Sequence, residues 1–131
     1  MLQVHDLTSH FFLKDTVIPA VDGVSFAIRD GEVLAAVGES GCGKSVTALS
    51  LLRLVVPPGR IMNGQVIFQG EDLLAKPEEK IRKLRGNRIA MIFQDPMTSL
   101  NPVLTIGEQI VEVLTEHLGL TRREAQKRAS E

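Results

Sequence analysis

The eight residues Gly38-Glu39-Ser40-Gly41-Cys42-Gly43-Lys44-Ser45 constrain this chain more than any other stretch. They fill every fixed position of G-x-x-x-x-G-K-[ST], a spacing that belongs to the turn between a strand and a helix. The flanks predict both elements. Glu32-Val33-Leu34-Ala35-Ala36-Val37 has no polar alternation after its first residue, the mark of a strand covered on both faces. Val46, Leu49 and Leu52 then repeat at three-residue spacing, predicting a helix from Val46 to Val55 stopped by Pro57-Pro58. Glycines at 38, 41 and 43 let the main chain curl until successive N–H groups point inward, and the start of the helix adds partial positive charge. Lys44 brings a full charge. A concave set of donors of this kind suits a polyphosphate, with Lys44 reaching the β- and γ-phosphates and the Ser45 hydroxyl available to Mg²⁺.

The rest of the chain frames this turn with a different kind of sheet. Val24, Phe26 and Ile28 alternate with Ser25, Ala27 and Arg29, as in a half-buried strand, and Asp30-Gly31 predicts a hairpin turn into the next apolar run. Asn63-Gly64 is expected to open another strand, Gln65 to Gln69, closed by Gly70. Residues 76 to 88 hold six basic side chains against Glu78 and Glu79, read as a solvated helix face. Arg88 to Phe93 is expected to form a second buried-type strand, stopped by Gln94-Asp95-Pro96. Two capping boxes follow, Thr105 with Glu108 and Thr121 with Glu124, and Ile106, Ile110, Leu114 and Leu118 repeat every four residues behind the first. The last helix begins, and the sequence reaches Glu131 with no C-terminal stop signal. The expected fold is α/β: a P-loop NTPase core with an antiparallel β subdomain, incomplete at the C-terminus.

Composition narrows the partners. The chain of 131 residues carries a net charge of -1, which gives no global field for nucleic acid. Hydrophobic residues at 44% against charged residues at 24% exclude an extended disordered chain. Arg53 breaks the longest apolar run, Ala48 to Val56, far short of a membrane span. The start, Met1 to Asp6, lacks the basic and apolar regions of a secretory signal. Cys42, the one cysteine, has no partner for an internal disulfide and is read as a small filler of the turn.

A phosphate-gripping turn serves several enzyme classes, and its flanks discriminate among them. No N-K-x-D guanine-reading run is present, and the antiparallel stretches on either side argue against a compact small-molecule kinase. The segments Ala20 to Phe26, Asp30-Gly31-Glu32, Gly38 to Ser45, Gly64 to Leu73 and Ile92 to Pro96 resemble the ATP-binding subunits of ABC transporters. The block Phe93-Gln94-Asp95-Pro96-Met97-Thr98-Ser99-Leu100-Asn101-Pro102 is most similar to the dipeptide/oligopeptide importer branch, which includes nickel and glutathione systems.

The resemblance implies an ATPase that couples ATP binding and hydrolysis to import of peptides or related small solutes. It makes Gly38, Glu39, Ser40, Gly41, Cys42, Gly43, Lys44, Ser45 and Val46 the nucleotide-binding Walker A region. Gln94 becomes the Q-loop glutamine, placed near the Mg²⁺ and the attacking water, so that Lys44 and Gln94 are the catalytic candidates and Ser45 and Gln94 the metal ones. An upstream aromatic stacks on adenine in many relatives; Phe11 or Phe12 is the candidate by position, with Phe11 taken first and a core phenylalanine as the competing reading. A generic reading would make Asp95 a Walker B magnesium ligand, but Gln94 before it and Pro96 after it fit the Q-loop better. The implied partners are membrane-spanning permease subunits, a second ATP-binding subunit and an extracytoplasmic solute-binding protein, with no nucleic acid, at the cytoplasmic face of the cell membrane.

No L-S-G-G-Q signature, no apolar strand ending in Asp-Glu and no switch histidine follow; His5, His10 and His117 do not fit that role. Residues 1–131 are therefore expected to be the N-terminal part of one ABC-type ATP-binding domain, without steady-state hydrolysis of their own. The alternatives are a soluble ABC-type ATPase outside transport and a non-hydrolysing nucleotide-binding fragment.

Overall fold

The computed structural model describes residues 1–94 and 100–131, in two compact units, residues 1–81 and 82–131. The first is built on an antiparallel sheet of order β2-β1-β3-β4, with β1 Leu2–Phe12, β2 Val17–Ile28, β3 Gly59–Phe68 and β4 Glu71–Asp72. In β2 the predicted alternation holds: Val24, Phe26 and Ile28 are half-buried, while Ser25 and Ala27 face water. Val4 and Leu7 from β1, Val21 from β2, Val66 from β3, and Leu52, Leu73 and Ile81 make the buried core of this unit.

Two irregularities shape the central strand. Pairing of β1 with β3 slips between His5 and Thr8, where Asp6 takes a left-handed φ of 47°. Gly64 sits across that slip at φ 113°, where a β-carbon would lie 2.7 Å from the Leu7 Cα and 2.8 Å from the His5 carbonyl oxygen. Asn63-Gly64 therefore lies inside β3, which starts at Gly59 rather than opening after this pair as expected. On the other side of β1, Ser9 pairs with Val21 and His10 with Pro19, a step that leaves Ala20 without a place in the register.

Helix α1 covers Lys44–Leu51, ending well before the predicted Val55. The prolines do not stop it. Arg53 does, at φ 54°, its guanidinium donating to the Lys76 carbonyl at 2.5 Å and pairing with Glu78 at 3.3 Å. An arginine normally avoids the left-handed region, and these bonds offset the strain.

The two buried-type strands are not formed. Residues 32–37 have no regular structure and no ladder partners among the described residues, and Val33 and Val37 are each 93% exposed. Asp30-Gly31 does turn the chain, closed by Glu32 N–H to the Arg29 carbonyl at 3.1 Å, but no hairpin follows. Arg88 to Phe93 behaves likewise: only Ile89 makes a bridge, to Arg85, and Ile92 is 98% exposed. An unbroken apolar run states that a strand needs covering on both faces; pairing itself must come from neighbouring main chain.

Helix α2, Glu78–Leu84, straddles the division between the units, and most of its charged side chains are exposed, as the solvated-face reading expects. The second unit contains α3, Ile106–Leu118, and α4, Arg122–Ala129, packed on each other. Both predicted capping boxes are complete. Glu108 N–H donates to Thr105 Oγ1 at 3.2 Å while Thr105 N–H donates to the Glu108 carboxylate at 3.0 Å, and Thr121 with Glu124 repeats the pattern. The four-residue repeat does make a helix, but Ile106, Ile110 and Leu118 lie exposed along it rather than buried.

The hydroxyl and amide of Thr105 hold the Glu108 carboxyl below its ordinary pKa, and Thr121 does the same for Glu124. A depressed carboxyl stabilises its helix above the unfolded pKa and loses that contribution as pH falls through the folded one. Helical circular dichroism is therefore expected to be flat at neutral pH and to decline below about pH 4. Thr105→Ala should cost about 1 kcal/mol and flatten the α3 part of that decline.

Candidate nucleotide-binding site

The site is one turn of main chain set on the edge of α1. Gly43 is the N-cap of α1 at φ 92°, and Gly41 is left-handed at φ 83°, conformations that turn consecutive peptide N–H groups toward one concavity. Lys44 lies across it. Its ammonium donates to the carbonyl oxygens of Gly38 at 2.6 Å and Glu39 at 2.7 Å and lies 3.3 Å from Cys42 Sγ. The Cys42 sulfur also occupies the space beside Gly38, 2.5 Å from where a β-carbon would be built there.

The start of α1 differs from those of α3 and α4 in electrostatics. Those two are closed by a threonine oxygen and a glutamate, whereas α1 has no side-chain cap and no acidic residue in its first turn. Its terminal N–H groups and dipole are thus left to an external anion. Ser45 lies exposed in the first turn, next to Lys44. Thr47 Oγ1 donates back to the Gly43 carbonyl at 3.0 Å, stiffening the junction between turn and helix.

Two further features hold the turn against the sheet. A β-carbon at Gly43 would stand 2.2 Å from the Ala20 carbonyl oxygen, so the N-cap rests directly on the strand bulge at Ala20. At the other end of α1, the buried hydroxyls of Ser50 and Ser9 lie 2.8 Å apart. Sequence reasoning missed both. A single serine inside a strand or a helix makes no periodic signal, and a carbonyl contact leaves none at all.

The structure thus brings Gly38 through Val46 together as a single unit. Phe11 is half-buried in β1, its ring against Gly59, where a β-carbon would lie 2.8 Å from the ring edge. Phe12 is more exposed, with the Arg60 guanidinium 5.6 Å from its ring centre. Gln94 lies exposed at a bend in the second unit, and Asp95 falls outside the described residues.

The family model for ABC transporters matches residues 21–131. The chain belongs to the ABC transporter family. Over its whole length it is 53% identical to the oligopeptide transport ATP-binding protein AppD of Bacillus subtilis (strain 168) and covers 40% of that protein. It is 52% identical to a probable peptide ABC transporter ATP-binding protein, y4tR, of Sinorhizobium fredii (strain NBRC 101917 / NGR234), of which it covers 39%. This ABC chain therefore spans about two-fifths of the length of the curated relatives it matches. A solved ATP-binding cassette, MJ0796 in a dimeric post-hydrolysis state bound to ADP and Pi, superposes with a TM-score of 0.74 at 23% identity. That match covers 99% of this chain and 54% of the other, and it establishes the cassette fold.

Proposed function

We propose that this ABC chain carries the phosphate-gripping part of an ATP-binding subunit that drives import of peptides or related small solutes. The observation that carries the reading is the uncapped, carboxylate-free start of α1 beneath the Lys44 ammonium. Its relatives at about half identity are named for peptide transport. In this reading residues 1–131 are the N-terminal part of a single ATP-binding domain.

The residues present fit a magnesium nucleotide. N–H groups of the turn and of the first turn of α1, with the charge of Lys44, would hold the phosphates, displacing the lysine and the Cys42 N–H from the carbonyls they now bind. Among the described residues no group of three or more His, Cys, Asp or Glu is poised around a cation, so Mg²⁺ would arrive with the nucleotide and take the Ser45 hydroxyl as a protein ligand. Bound there, the ion would neutralise phosphate charge. Gln94 would orient water near the ion, and Phe11 would offer an apolar face to the adenine.

Function then follows from pairing. A second ATP-binding subunit would complete the nucleotide site, and ATP-driven closure of the pair would move membrane-spanning permease subunits fed by an extracytoplasmic solute-binding protein. The subunit would sit peripherally at the cytoplasmic face; no helix among the described residues is long and apolar enough to cross a membrane. Calorimetry on the full-length protein tests the metal arm of this reading. Ser45→Ala should weaken binding of ATP in the presence of Mg²⁺ by about tenfold and leave metal-free binding unchanged. Equal losses with and without the ion would remove Ser45 from the metal site.

A further inference from the structure

We infer that Ser9 and Ser50 are positioning residues for the phosphate-gripping turn, fixing the rotational setting of α1 on the sheet through a buried relay of hydroxyls. This rests on the nucleotide reading above. Both residues are 0% exposed, in a unit whose other buried side chains are all aliphatic. Ser50 Oγ donates to the Val46 carbonyl at 2.7 Å and lies 2.8 Å from Ser9 Oγ. A hydroxyl has one proton, so with that of Ser50 engaged by Val46, the Ser9 hydroxyl is the donor to Ser50. The relay runs from the central strand into the first turn of α1 and ends on the residue after Ser45.

A pair of hydroxyls is a weak way to stabilise a core. Their hydrogen bonds do little more than offset the desolvation of the two oxygens, and an aliphatic pair of similar size would pack as well. What the pair adds is direction. Aliphatic contacts tolerate rotation of a helix about its axis, whereas hydrogen bonds weaken steeply once misaligned. Rotation matters here because Lys44 and Ser45 project from the first turn, so a small turn of α1 is magnified at the Lys44 ammonium. The contact of Gly43 with the Ala20 carbonyl fixes where the helix starts, and the serine relay fixes how it is turned.

The test compares Ser9→Ala, Ser50→Ala and the double variant in the full-length protein, measuring MgATP affinity by calorimetry and the denaturant midpoint of each. Each single substitution should weaken nucleotide binding about fivefold, and the double should be no worse than either, since all three break one relay. The double should also recover part of the midpoint lost by the worse single, because no hydroxyl is left without its partner. Lowered affinity beside a recovered midpoint is the expected result. Affinity that equals the wild type, or that simply follows the midpoint across the series, overturns the inference. Should Ser50→Ala not fold, Ser9→Ala decides alone, because Ser50 keeps its bond to Val46 in that variant. A wild-type protein with no magnesium-nucleotide affinity, indistinguishable from Lys44→Ala, overturns the nucleotide reading and the relay's role with it. Wild-type affinity lost in Lys44→Ala but unchanged in the serine variants overturns the relay alone.

Discussion

Replacing Lys44 with alanine is expected to weaken MgATP binding by about a hundredfold and to leave thermal stability nearly unchanged. The asymmetry follows from where the side chain sits. Lys44 is exposed and its ammonium binds groups of its own turn, the carbonyl oxygens of Gly38 and Glu39 and the Cys42 sulfur, and water can satisfy the carbonyls once the lysine is gone. Surface substitutions of this kind move stability by about 0.5 kcal/mol or less. Against a nucleotide the same ammonium would make charge-assisted bonds to phosphate oxygens, each worth about 1.5–3 kcal/mol, so one strong bond accounts for the expected loss of about 2.7 kcal/mol. Lys44→Arg should not restore binding, because a bulky planar guanidinium cannot fold back over so tight a turn as a compact ammonium on a flexible four-carbon stem does. Titration calorimetry of the three proteins, each with its thermal midpoint, checks both halves. If Lys44→Ala bound MgATP as the wild type does, the turn would not be a phosphate site.

The conformation of the turn was legible because it is settled in one short run, with Gly41 and Gly43 left-handed as a curling main chain needs. The capping boxes of α3 and α4 and the alternation in β2 were legible for the same reason: each is settled within a few residues. Where the outcome depended on distant main chain, the pattern misled. Val33, Val37 and Ile92 read as interior strand residues and lie in water, since nothing local reports whether a ladder partner stands beside them. The end of α1 was assigned to Pro57-Pro58 but is set by Arg53, whose left-handed backbone is held by Lys76 and Glu78, more than twenty residues away. The slip in β1 likewise placed Asn63-Gly64 inside a strand. What holds the turn in place, Ala20 beneath Gly43 and Ser9 beside Ser50, joins residues 23 and 41 positions apart and has no trace in local spacing.

Gly43→Ala and Gly41→Ala together separate conformation from contact. Both glycines are left-handed, at φ 92° and 83°, so an alanine at either place carries a backbone strain of about 1–2 kcal/mol. At Gly41 a β-carbon would meet nothing within 4 Å, and strain is the whole cost. At Gly43 it would stand 2.2 Å from the Ala20 carbonyl oxygen, a backbone atom at the bulge of β2 that cannot swing aside as a flexible side chain would. Relief requires α1 to lift from the sheet, adding roughly 1–3 kcal/mol of overpacking. The expected losses in denaturant unfolding are therefore about 1 kcal/mol for Gly41→Ala and about 3 kcal/mol or more for Gly43→Ala. Lifting α1 also displaces Lys44 and Ser45 from their setting on the sheet, so Gly43→Ala should lose detectable MgATP binding even at temperatures where it remains folded. Equal destabilisation by the two substitutions would mean that the N-cap does not rest on Ala20, and that the turn from Gly38 to Ser45 takes its position from α1 alone.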